Sequence, residues 1–168
     1  MRDHPSDGTV RRVRDEREAP WIPPGAPGGA FERRELRAGA KALVTDRGRA
    51  LLVEECRADG STFWTLPGGG VESGESFPEC LRREIDEEIR ASATVGERIG
   101  HCVYRHTTRP ATTVYAVFDA TLGSRPDPDP TERVVDHAWV APAELPTTTL
   151  DPVERFVGRS VAATDGDR

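Results

Sequence analysis

Residues 69–91 read GGVESGESFPECLRREIDEEIRA, and this stretch decides the fold. It opens on glycine, passes through acidic residues and ends in a helix. Ser76 followed by Glu79 spells a capping box, S-x-x-E, which marks the helix start. Pro78 falls in the first turn, where its missing N–H removes no helical bond. Leu81, Ile85 and Ile89 then recur every four residues and form one apolar stripe. At about 100° per residue, Glu84, Glu87 and Glu88 fall within an arc of roughly 100° beside that stripe. Like charges at these spacings each cost a few tenths of a kcal/mol. A hard divalent cation converts that repulsion into attraction, because Mg²⁺ binds carboxylate oxygens and water. The plain alternative is a solvated acidic helix face.

The segment before the helix separates the two readings. Pro67-Gly68-Gly69-Gly70 lets the backbone come close to a ligand or metal. Glu72 and Glu75 add carboxylates in a loop pinned by the helix start. Arg83 stands next to Glu84 and can orient a carboxylate or contact a phosphate.

The stretch resembles the Nudix hydrolase signature, G-x5-E-x7-R-E-U-x-E-E-x-G-U, with U a bulky aliphatic residue. Gly69 matches the first glycine and Glu75 the first glutamate. Arg83-Glu84-Ile85 matches R-E-U, and Glu87-Glu88 the following pair. Trp64-Thr65-Leu66-Pro67-Gly68 resembles the usual lead-in. Two positions depart from the pattern. Arg90 replaces the glycine that closes the helix in a left-handed conformation, and Ala91 replaces a larger aliphatic. With Arg90 there, the helix is expected to run on for a residue or two.

The resemblance implies an α+β fold: an α/β/α sandwich around a mixed sheet, with a loop–helix–loop motif at the site. It also implies a metal-dependent hydrolase that cleaves the pyrophosphate linkage of a nucleoside diphosphate joined to another moiety X, a nucleotide or nucleotide sugar. The implied cofactor is Mg²⁺ or Mn²⁺. The implied metal ligands are Glu84, Glu87, Glu88 and the Gly69 carbonyl. Glu132 is the candidate further acid, and Asp136 the reserve. Arg83 joins the three glutamates in the catalytic set, while Glu75 and Gly70 support the motif. Glu84 or a downstream acid takes the proton from water. Two other classes answer to the same residues: a non-catalytic Nudix-like nucleotide sensor, and an acidic metal- or protein-binding domain without turnover. Family resemblance also suggests a homodimer.

Composition bounds the rest. The chain has 168 residues, 36% hydrophobic and 31% charged, enough for one domain with tails. Its net charge of −6 argues against non-specific nucleic-acid binding, which needs a basic footprint. Of its 23 basic Lys and Arg residues, Lys41 is the only lysine. Cys56, Cys80 and Cys102 lack C-x-x-C spacing and read as reduced thiols in a reducing compartment. No run of apolar residues reaches membrane-spanning length, and MRDHPSDG has no apolar targeting core. A soluble cytoplasmic protein is the expectation.

Taken in order, residues 1–36 form an N-terminal arm, with a short helix over Val10–Glu18 and Trp21 and Phe31 as anchors. The resemblance implies a Nudix domain over 37–161, and 162–168 is expected to be a disordered tail. Strands are expected over Ala40–Thr45, Ala50–Glu55, Phe63–Leu66, Val95–Arg105, Thr112–Leu122 and Val134–Val140, and a last helix over Asp151–Val161. Asp46-Arg47-Gly48 is a tight hairpin turn. The proline-rich segment from Gly123 to Arg133 cannot pair in a sheet and reads as a mobile rim. Substrate contacts are expected from Trp64, Arg105 and Arg109, with His101 and His106 near them; core packing and solvated strand ends are the alternatives.

Overall fold

The computed structural model describes residues 34–164, with side chains over 34–161. The expected arm helix, Trp21, Phe31 and the last tail residues lie outside the described residues. The elements run β1 (Glu35–Asp46), β2 (Arg49–Cys56), β3 (Thr62–Thr65), β4 (Gly68–Gly70), α1 (Phe77–Ile89), β5 (Ala93–Arg105), β6 (Ala111–Leu122), β7 (Val134–Val140) and α2 (Asp151–Thr164). Every expected strand is present. β1 begins earlier than expected, and the glycine run supplies a short strand of its own, β4.

The sheet has seven strands and is mixed. Its main path is β3-β2-β1-β6-β5, with β4 on β1 and β7 on β2. β1 and β6 are parallel over a long register, from Glu35 opposite Ala111 to Val44 opposite Ala120. β1 meets β2 only at Thr45–Ala50 and Asp46–Arg49, next to a hairpin turn in which Arg47 and Gly48 both have positive φ. Beyond that end the two strands pair with other partners. β4 fits antiparallel against β1, with Gly39, Ala40 and Lys41 facing Gly70, Gly69 and Gly68.

Strand alternation sends side chains to two layers. Ala40, Ala42 and Val44 of β1 join Leu51, Val53, Ala116 and Phe118 under Leu81, Ile85 and Ile89 of α1. Leu43, Leu52 and Val117 point the other way and pack with Val153 and Val157 of α2. This is the expected α/β/α sandwich. Lys41 sits on the α2 side in a position that the alternation would give to an apolar residue, and it is 6% exposed.

α1 starts as the sequence indicates. The Ser76 hydroxyl accepts from the Glu79 N–H at 3.3 Å, and the Glu79 carboxylate accepts from the Ser76 N–H at 2.8 Å. Its end corrects one expectation: the helix does not run on past the motif. Arg90 takes the left-handed conformation itself, φ 48°, where glycine would be unstrained. Its guanidinium then reaches Asp127 and Asp129, both at 3.0 Å. The Asp127 N–H donates to the Ile89 carbonyl and the Asp129 N–H to the Glu88 carbonyl, each at 2.8 Å. The segment expected as a mobile rim is therefore fastened to the end of α1, and Pro130–Glu132 within it forms a 3₁₀ turn capped by Asp129.

Two stability results follow from this geometry. Gly68 has φ +123°, and a Cβ there would lie 2.2 Å from the Ala40 carbonyl oxygen, whereas a Cβ on Gly70 would meet nothing within 4 Å. Gly68→Ala is expected to cost more than about 2 kcal/mol in urea unfolding, and Gly70→Ala to stay within about 1 kcal/mol. At the helix end, Arg90→Ala keeps the backbone strain and loses both ion pairs. Arg90→Gly loses the pairs but removes the strain, so it should be more stable than Arg90→Ala by about 1 kcal/mol, read as a difference in denaturation midpoint.

Candidate active site

β4, three glycines, brings no side chain to its contact with α1. A Cβ on Gly69 would lie 2.5 Å from a Glu84 carboxylate oxygen. The glycine run therefore lets the acidic edge of α1 press directly onto backbone. Gly68 uses both of its polar backbone groups here. Its N–H donates to Glu88 Oε2 at 2.9 Å, and its carbonyl accepts a short hydrogen bond from Lys41 Nζ.

Arg83 gathers the remaining carboxylates. It donates to Glu75 in a bidentate pair, Nε to Oε1 at 2.8 Å and Nη2 to Oε2 at 3.0 Å. Nη1 reaches Glu84 at 3.0 Å and Glu87 at 3.1 Å, and Nη2 also donates to the Gly70 carbonyl at 3.1 Å. One planar guanidinium thus braces the loop, the glycine strand and two glutamates of the helix. Hydrogen bonds from Arg83 and from the Glu72 N–H hold the Glu75 carboxyl down at about 2. Cys80 lies beneath, its Sγ 3.5 Å from the Gly70 carbonyl, and burial pushes its thiol up to about 11. It is an inert packing residue.

The glutamates differ in their surroundings. The Glu87 side chain is 44% exposed. Glu84 is half-buried, and burial raises its pKa against the pull of Arg83. Glu88 is only 7% exposed. Burial raises its carboxyl well above the usual range; Lys41 opposes this, and Glu55 adds to it. Among the described residues no three acidic, imidazole or thiol groups stand close enough together to hold a cation as placed. Arg83 and the Gly68 N–H take up the carboxylate oxygens instead. The donor set nevertheless suits a hard divalent ion: carboxylates on one edge, a glycine carbonyl beside them, and one of the carboxylates, Glu88, buried without an ion-pair contact. Glu132 is exposed within the 3₁₀ turn fastened to the C-terminal end of α1, and Asp136 is exposed on β7.

A cleft of about 870 Å³ opens where β1 and β2 part, its lining including Lys41, Glu55, Phe63, Tyr104, His106, Arg109 and Tyr115. Arg57 lies over the Phe63 ring at 4.2 Å, and Tyr104 meets His106 edge-on at 4.9 Å. Arg109 lines this cleft. Two companions do not. Trp64 alternates with Phe63 along β3, packs against the α2-side core and pairs with Thr149, so Phe63 is the aromatic that faces the cleft. Arg105 alternates with Tyr104 and His106, which turns it away from the cleft to a shallower hollow beside Arg155. His101 shares that outward face and is exposed.

Two residues escaped the sequence reading, Lys41 and Glu55. Their atoms lie 3.7 Å apart, and Lys41 also sits 5.3 Å over the Tyr115 ring. The signal for Lys41 was available: it is the sole lysine, placed inside an otherwise apolar strand. Glu55 carried none, because a polar residue near the end of a strand is ordinary.

Comparison with known proteins agrees with this geometry. The NUDIX domain family model matches residues 33–159, well over half of the chain. The nucleoside triphosphatase NudI of Salmonella newport is 34% identical over 102 residues, which cover 55% of this chain and 71% of that protein. Among solved structures, the MutT protein from Methanosarcina mazei Go1 aligns with a TM-score of 0.69 at 21% identity, covering 80% of this chain and 98% of that one. The MutT NUDIX hydrolase from Burkholderia pseudomallei aligns at 0.64 and 25% identity, covering 76% and 99%. A glycine strand pressed onto a glutamate-edged helix, in a mixed-sheet sandwich matched along most of its length, places this chain in the Nudix family as a pyrophosphohydrolase.

Proposed function

We propose that the chain hydrolyses the pyrophosphate linkage of a nucleoside diphosphate joined to a moiety X, with Mg²⁺ or Mn²⁺ as its cofactor. The observation that carries this reading is the contact of Glu84 and Glu88 with the glycine strand, at the junction where Lys41 brings the cleft to the same peptide. Nucleoside triphosphates are the first class to try, since the NudI relative is named for hydrolysing them. The substrate is a soluble small molecule rather than a nucleic acid, in keeping with the net charge of −6. No described helix is long and apolar enough to cross a membrane.

In this reading Glu84, Glu87, Glu88 and the Gly69 carbonyl would hold the metal, with Glu132, exposed in the fastened loop, as the further acid. The ion, when bound, neutralises charge on the diphosphate oxygens and makes water a better nucleophile. Glu84 takes the proton from the attacking water; Glu132 is the alternative base, with Asp136 behind it. Arg83 keeps Glu84 and Glu87 in register with the loop, and Glu75 fixes Arg83. The aromatic and arginine-lined cleft receives the nucleotide, with Arg109 at its rim.

Three measurements check this. Release of nucleoside monophosphate from a nucleotide panel should require divalent metal, vanish with EDTA and return with Mg²⁺ or Mn²⁺. Glu88→Gln retains an acceptor for the Gly68 N–H, so it should unfold at an unchanged or higher temperature while turnover falls at least about 100-fold. Wild-type turnover in that variant would remove the assignment. Glu75→Gln should reduce turnover about 10- to 100-fold by releasing Arg83. It should also flatten the acid limb of stability. The folded-state pKa of Glu75 is depressed, so its contribution is present above the ordinary value of 4.5 and is lost as pH falls through about 2. Acid-denaturation curves of the two proteins should therefore converge at the low end of that window.

A further inference from the structure

Lys41 is buried, yet it is not used up. An ammonium has three N–H donors. One goes to the Gly68 carbonyl. The Glu55 carboxylate at 3.7 Å is close enough to attract the charge but too far for a hydrogen bond. The side chain lines the cleft, so its remaining donors look onto the space a ligand would fill. Burial alone would lower its pKa, but Glu55 and Glu88, then Tyr115 and Glu84, more than offset this and keep it charged.

Its location matters as much as its charge. Gly68 donates its N–H to Glu88 and gives its carbonyl to Lys41. A single glycine therefore separates the ammonium on the cleft floor from the most buried glutamate of the helix edge. The planar pairs Arg57–Phe63 and Tyr104–His106 line the same cleft. A ligand with a flat ring and a chain of phosphates can meet these planar side chains and Lys41 in the one cleft.

We propose that Lys41 is a substrate-positioning residue, the contact through which the cleft grips the phosphate oxygens of the nucleotide and delivers them to the glutamate edge. The proposal rests on the hydrolase reading above and extends it. The competing account is that Lys41 only tethers Gly68. The two accounts disagree about Glu55. If Lys41 binds phosphate, Glu55 competes for the same ammonium and repels the ligand. If Lys41 is a tether, Glu55 helps to hold it in place.

The test is calorimetric titration of the metal-free protein with inorganic pyrophosphate, on wild type, Lys41→Met and Glu55→Gln. Lys41→Met should bind roughly 10- to 100-fold more weakly, as expected for losing a charge-assisted hydrogen bond. Glu55→Gln should bind about 3- to 10-fold more tightly. Equal affinity in wild type and Lys41→Met, weaker binding by Glu55→Gln, or no binding by wild type at millimolar pyrophosphate would each overturn the proposal. Should Lys41→Met fail to give a cooperative thermal transition, Glu55→Gln decides the matter alone. Nucleotide turnover with divalent metal separates the two levels. A wild type that cleaves no nucleotide, yet binds pyrophosphate through Lys41, sinks the hydrolase reading alone. A wild type that cleaves nucleotides with a KM unmoved by Lys41→Met sinks the Lys41 assignment alone.

Discussion

The site depends on one close approach. Where α1 crosses β4 there is no room for a side chain: a carboxylate oxygen of Glu84 lies 2.5 Å from the point where Gly69 would carry a Cβ. That approach brings glutamates onto backbone groups that can hold them. It also costs something. Like charges crowd one helical edge, and Glu88 gives up water for one N–H and the nearby Lys41. Arg83 is the local answer, spreading one cation over Glu75, Glu84 and Glu87. The cation needed by the more deeply buried carboxylates comes from outside the motif, on β1.

The scaffold explains why the approach is possible. β1 and β2 part after a two-pair contact, and β4 lies against β1 beside that opening. The gap joins the α1 face, which carries the glutamates, to the cleft. Lys41 stands at the junction. A continuous sheet would have separated the acids from the cleft.

Much of this was legible in the sequence because the motif is local. The capping box, the Leu81-Ile85-Ile89 stripe and the clamp of Arg83 on Glu75 and Glu84 arise between residues a turn or a short loop apart, where spacing fixes geometry. The strands were legible from alternation. What failed was decided at longer range. Phe63 and Trp64 are neighbours, and only the pairing of β3 with β2 and Thr149 determines which one faces the cleft. Arg105 and His106 differ in the same way. Arg90, standing where a glycine would close the helix, reads as a continuation, but the aspartates it pairs with lie some 40 residues on, in a proline-rich loop. Lys41 and Glu55 come from separate strands and meet only in the folded sheet.

The central claim is that the glutamate edge of α1 is a metal site built against the glycine strand. Anomalous diffraction from crystals soaked in Mn²⁺ tests it most directly. The account predicts manganese within bonding distance of Glu84 or Glu88 carboxylate oxygens, beside the Gly69 carbonyl, with Arg83 still paired to Glu75. Manganese bound elsewhere on a fully occupied crystal, with those carboxylates still held only by Arg83 and the Gly68 N–H, would contradict it.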